Sequence, residues 1–100
     1  MTDTSPSRPR GSKVFREMRD RAAGRGRVQH REYYQKLAGI ISARRHELGL
    51  SQSELAQLCH TTQSAIARME SGQRPPRVDT LLTVADVMDC TVELTFVPRS

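Results

Sequence analysis

The tightest constraint on this chain is the run from Gly49 to Pro76, where two short helix signatures stand almost end to end. Gly49 closes the helical pattern before it, because glycine accepts the left-handed backbone that ends many helices. Ser51 followed three residues later by Glu54 has the spacing of a capping box, in which two orphan backbone donors are satisfied reciprocally. This cap predicts a helix from Gln52 to about Leu58. After a break at Cys59-His60-Thr61, a second helix is predicted from Thr62 to Ser71, with Ile66 and Met69 inward and Gly72 and Pro75-Pro76 as its stop.

The flanks of this pair read as further helices. From about Gln29, Tyr33, Leu37, Ile40, Ile41 and Leu48 recur at helical intervals, and Leu81, Leu82, Val84, Ala85 and Met88 do so between Val78 and Met88. Lys13 to Ala23 is a weaker helix with Val14, Phe15, Met18 and Ala22 on one face, interrupted by Gly24-Arg25-Gly26-Arg27. Too short to be stable alone, it must bury that stripe against its own domain, a second copy or a partner. Residues 91–97 change period: Val92, Leu94 and Phe96 alternate onto one face, the pattern of a β-strand. With no second strand candidate, pairing with the same strand of another copy is the economical expectation, and a tail packing its apolar face is the alternative.

The fold class expected is all-α: a compact helical domain with a C-terminal β-strand for dimer pairing and a basic N-terminal helical arm. Its expected divisions are a disordered tail over 1–12, the arm over 13–28, the domain over 29–90, the strand over 91–97 and a tail over 98–100.

One hundred residues, 36% of them hydrophobic and none of them Trp, make one small domain with tails and exclude a multidomain enzyme. The formal charge is +5, and residues 1–36 carry ten basic against four acidic side chains, a net +6 that leaves −1 for the rest. An acidic partner is the first expectation: nucleic acid, an acidic protein or a membrane surface. No apolar run spans a bilayer and the opening residues lack a secretory pattern, so a cytoplasmic protein with no membrane partner is expected. Cys59 and Cys90 read as two buried thiols, and His30, His46 and His60 share no ligand spacing, so neither a metal nor another cofactor is expected. No nucleophile, base and orienting group occur together, which argues against an enzyme and leaves no catalytic residue to name.

Two short helices across a tight turn form a helix-turn-helix arrangement. Counted from Gln52, small Ala56 falls where the helices approach, Leu55, Ile66 and Met69 fall inward, and Gln63, Ser64, Ala67 and Arg68 fall outward. The segment from Ile41 to Gln73, above all LGLSQSELAQ and TTQSAIARMESG, resembles the DNA-binding domain of the lambdoid phage repressor and Cro family, also called the XRE family. The similarity covers residues 37–89 and implies a helical domain that binds operator DNA as a homodimer. Two departures stand out. His60 occupies a turn position where the family usually has Gly, and Ser64 and Arg68 stand where a phage repressor of this family has glutamines, so no operator sequence transfers.

Gln63, at the start of the second helix, is the expected base reader, because an amide offers one donor and one acceptor to the major-groove edge of adenine. Thr62, Ser64 and Arg68 are the other candidates for base contacts, Arg68 by forking onto guanine or by staying on phosphate. Arg74 and Arg77 are placed for phosphate contacts. The resemblance implies that Gln52 bonds a phosphate and buttresses Gln63, and that Arg45 and Glu70 form an internal ion pair, the alternative being Arg45 on the phosphate backbone.

The flanks, a basic arm before the domain and a strand after it, resemble the HigA-like and HipB-like antitoxins of bacterial toxin–antitoxin operons. That resemblance implies an autoregulatory repressor on an inverted-repeat operator, with Val14, Phe15 and Met18 contacting a toxin and Val92, Leu94 and Phe96 dimerising. The net +6 of the first 36 residues fits poorly to a basic toxin. A free-standing Cro-type transcription factor whose arm follows double-stranded DNA is therefore the competing expectation.

Overall fold

The structure is a computed structural model that describes residues 12–25 and 30–99. Among these residues five helices follow in order: α1 Lys13–Arg25, α2 Arg31–Glu47, α3 Gln52–Leu58, α4 Gln63–Glu70 and α5 Val78–Val87. The expected tail over 1–12 lies outside the described residues except for Ser12, as do residues 26–28 of the arm, residue 29 at the start of the domain and residue 100 of the C-terminal tail.

Each boundary in the central pair has a local cause. Leu50 donates its N–H to the Arg45 carbonyl across Gly49, which takes φ 71° and so ends α2. The Ser51 hydroxyl then accepts the Glu54 N–H at 3.0 Å, and the Glu54 carboxylate accepts the Ser51 N–H at 2.8 Å, completing the capping box. The Ser51 N–H, and after it the Ser51 hydroxyl, hold the Glu54 carboxyl below its ordinary range. Between α3 and α4 the chain reverses at His60, φ 56°, and Thr61 donates to the Ala56 carbonyl at 2.9 Å. A β-carbon strains that left-handed backbone, although histidine tolerates it better than most residues.

The core is the common interior of α2 to α5. Ile41, Leu55, Ala56, Ile66, Met69, Val84 and Met88 are buried together, with Leu37, Cys59, Leu81 and Val87 packed against them. Leu55, Ile66 and Val84 lie at its centre, fully enclosed, and contribute about 1.5–3 kcal/mol each. Along α2 the buried set is Ala38, Ile41 and Arg45, whereas Tyr33 and Ile40 are exposed. Ile40 sits one residue, about 100° of helix rotation, from the line of contact through Leu37 and Ile41. Gly72, φ 71°, brings the turn after α4 against α2 so closely that a β-carbon there would meet the Gln35 Cα at 2.9 Å.

Three expectations are corrected. Residues 91–97 form no strand, and among the described residues there is no β-strand at all. Alternation makes a strand only where a second chain segment accepts its hydrogen bonds, and the described residues supply none. Val92 instead lies half-buried in an apolar groove between α2 and α5, while Leu94 and Phe96 are 75% and 99% exposed. Second, α1 continues through Gly24 to Arg25, and none of its residues is buried; Val14, Phe15 and Met18 stand in solvent. Third, the cysteines are not two buried thiols. Cys59 is half-buried against the core, where burial pushes its thiol pKa up, and Cys90 is exposed just beyond the turn at Asp89.

Among the described residues no helix is long and apolar enough to cross a membrane, and no group of three or more His, Cys, Asp and Glu is placed to hold a metal ion.

Relief of the strain at His60 provides a test of the turn. His60→Gly should raise stability by about 0.5–1 kcal/mol, the left-handed cost of a β-carbon less the added unfolded-state entropy of glycine. His60→Val should lower it by about 1–2 kcal/mol, because branching at Cβ worsens the same clash. Urea unfolding of the three proteins measures both, and equal midpoints would contradict the assignment of strain.

Candidate nucleic-acid interface

Ala56 on α3 is nearly inaccessible, so the two helices approach closely and present the start of α4 beside the start of α3. Thr62 caps α4: its hydroxyl oxygen accepts the Ala65 N–H at 3.1 Å, so that oxygen is engaged while the methyl and the O–H proton are free. Gln63 and Ser64 follow on the first turn, both exposed, and Arg68 is exposed one turn further on. Small Ala65 and Ala67 turn partly inward, which leaves these polar side chains standing clear of the body.

Behind this face runs a chain of polar contacts. Arg45 on α2 grips Glu70 at the end of α4 with two near-parallel hydrogen bonds, Nε to Oε2 at 2.7 Å and Nη2 to Oε1 at 2.8 Å. Its remaining Nη1 donates to the Leu50 carbonyl at 2.8 Å, so one guanidinium ties α2, the turn before α3 and α4 together. Both side chains are under one-tenth exposed, and Arg45 therefore faces the interior and not solvent. Glu70 Oε1 also accepts from Gln52 Nε2 at 3.1 Å, and Gln52 Oε1 accepts from Gln63 Nε2 at 2.8 Å. Burial alone would push the Glu70 carboxyl up. The hydrogen bonds from Arg45 and Gln52 and the positive charge of Arg45 outweigh it and hold the group below the ordinary carboxylate range.

The body of the domain is nearly neutral, yet its basic groups are not evenly spread. Arg68, Arg74 and Arg77 line one open groove of about 500 Å³ beside α4, together with Pro75 and Pro76. Arg77 is exposed and pairs with Asp79 at 3.1 Å, a contact that solvent weakens. Arg44, by contrast, is turned away to the Met88 carbonyl and Glu47, where it fastens the end of α5 to α2. Thus Gln52, Thr62, Gln63, Ser64, Arg68, Arg74 and Arg77 belong to α3, α4 and the loop after it. Val14, Phe15 and Met18 belong to α1 and Val92, Leu94 and Phe96 to the C-terminal segment, outside that set.

A polar row on a short helix, backed by a fixed partner helix and flanked by arginines, is the geometry of a helix that enters the major groove. A family model described as helix-turn-helix matches residues 40–94, more than half of the chain. The chain belongs to the XRE-type helix-turn-helix family of DNA-binding transcription regulators. No curated protein matches it. In this regulator α4 occupies the place of the recognition helix and α3 that of the helix crossing the backbone.

The link that sequence reasoning missed is Glu70 to Gln52. The two residues are eighteen positions apart on different helices, and no local spacing announces the contact. The only signal was indirect: Arg45, Gln52 and Glu70 are all polar at positions next to inward-facing ones.

Removing one partner from a buried pair leaves the other charge uncompensated, so Arg45→Met should cost about 3–5 kcal/mol in unfolding free energy. Because the folded pKa of Glu70 is depressed, its stabilisation is complete above the unfolded value and is lost as pH falls through the folded one. Glu70→Gln should therefore flatten the acid limb of the stability curve. An unchanged acid limb in chemical denaturation would contradict that role.

Proposed function

We propose that this regulator recognises a specific operator as a two-fold dimer, with α4 in the major groove of each half-site. Gln63 reads a base, Ser64, Arg68 and Thr62 supply further contacts to base edges, and Gln52, Arg74 and Arg77 hold phosphates. The observation that carries this reading is the exposed amide of Gln63 on the first turn of α4, held from behind by Gln52 at 2.8 Å. A side chain fixed before binding loses less entropy on contact and discriminates better than a free one. The operator is then an inverted repeat whose half-sites lie about 34 Å, or one helical turn, apart. The exposed apolar side chains of Ile40, Leu94 and Phe96 provide surface for the second copy.

Replacing Gln63 by Ala should cost about 1–3 kcal/mol at one base position and little elsewhere, whereas Arg77→Ala should weaken all sequences alike and make the salt dependence shallower. Binding isotherms on a set of single-base operator variants check this. Uniform loss in both proteins would refute the base-reading role.

A second reading concerns α1. Its apolar stripe of Val14, Phe15 and Met18 is more than half exposed on a helix with no buried residue, which favours a protein partner over a purely electrostatic arm. In this reading the regulator is the antitoxin of a toxin–antitoxin operon, repressing its own promoter and capturing a toxin through α1. Deleting residues 1–28 should then leave operator affinity intact while abolishing rescue of growth arrest by a co-expressed toxic neighbour. Loss of affinity with a shallower salt slope would assign the arm to DNA and leave a free-standing transcription factor.

A further inference from the structure

The contacts behind Gln63 do more than brace it, because only one arrangement of hydrogens satisfies them. At the inner end Arg45 can only donate and the ionised Glu70 can only accept. The Gln52 atom 3.1 Å from Glu70 Oε1 must therefore be its amide nitrogen, since the carbonyl oxygen there would set two lone pairs against each other. That turns Gln52 Oε1 outward as an acceptor. Gln63, 2.8 Å away, must answer with an N–H, and its own orientation is set in turn.

An amide held this way has spent one of its two N–H donors. What it offers outward is one N–H and the carbonyl Oε1, a donor beside an acceptor. Adenine presents the complement in the major groove, an acceptor at N7 and a donor at N6; guanine presents acceptors at both N7 and O6. The reversed amide would accept from Gln52 through its carbonyl, leave both N–H groups free, and suit guanine as well.

We infer that Glu70 is a positioning residue for recognition: acting through Gln52, its carboxylate fixes the polarity of the Gln63 amide and thereby makes the site select adenine over guanine. The inference rests on the reading of Gln63 as a base contact and assigns Glu70 a role separate from holding the helices together. A glutamine at position 70 would preserve size and lose the polarity, because an amide can present either a donor or an acceptor to Gln52.

The test is a binding selection on operators randomised around the position whose preference Gln63→Ala relaxes, run with the full chain, Glu70→Gln and Gln52→Met. The second variant keeps the Arg45–Glu70 pair, so it can overturn the inference even if Glu70→Gln does not fold. The unsubstituted protein should prefer adenine to guanine there by roughly tenfold or more. Both variants should bring the two bases within about threefold, whatever they do to overall affinity. A structural role alone would lower binding to all operators and leave the adenine-to-guanine ratio unchanged, and that ratio retained in Gln52→Met overturns the inference. If Gln63→Ala relaxes no position, the base-reading role and the inference fail together.

Discussion

The organisation of this domain turns on one guanidinium. Arg45 spends all three of its nitrogens inside the protein, two on Glu70 and one on the Leu50 carbonyl. It is the one charged residue among the buried core set of the described residues. Burying such a pair recovers its desolvation cost only when the geometry is close to ideal and the spare lone pairs are filled. Both conditions hold: the contacts with Glu70 are bidentate and short, and Gln52 takes a further position on Oε1. Because the three elements so joined are α2, the turn before α3, and α4, the pair sets how the recognition helix stands on the domain as well as how firmly.

The same network carries the interior outward to the DNA-facing side. Packing of Leu55, Ala56 and Ile66 brings α3 and α4 together. Polar contacts then run from a buried carboxylate to an exposed amide in two steps, Glu70 to Gln52 and Gln52 to Gln63. Recognition in this account is thus prepared before DNA arrives, and the cost of ordering the reader is met during folding. In the proposed complex Arg74 and Arg77 serve another end, since phosphate contacts add affinity and salt dependence but no choice of sequence.

What was legible in the sequence follows the range of the interaction concerned. The capping box at Ser51 and Glu54, the stop at Gly49 and the strained turn at His60 are set within a few residues, and the helix-turn-helix could be placed from them. The outward positions of Gln63, Ser64 and Arg68 follow from helical periodicity once Ile66 and Met69 are inward. The C-terminal segment failed for the opposite reason. Alternation describes one segment, whereas a strand is a relation between two, and residues 91–97 have no second segment among the described residues to pair with. Likewise the stripe on α1 was visible, but nothing in its spacing says that no part of the helix is buried. The contact of Glu70 with Gln52 depends on how two helices pack and was beyond any reading of local pattern.

The arm and the body divide the electrostatic work unequally. The first 36 residues carry more than the whole excess of positive charge, +6 against +5 for the chain, and the remainder nets −1, so the recognition face depends on where Arg68, Arg74 and Arg77 lie and not on bulk charge. The proposed recognition requires α4 to enter the major groove in two symmetric copies. Dimethyl sulfate protection of a bound operator tests it most directly, because guanine is methylated at N7 in the major groove and adenine at N3 in the minor groove. Guanine protection is expected in two half-sites about one helical turn apart, related by a two-fold axis. Protection confined to the minor groove, or spread along the duplex without symmetry, would contradict it.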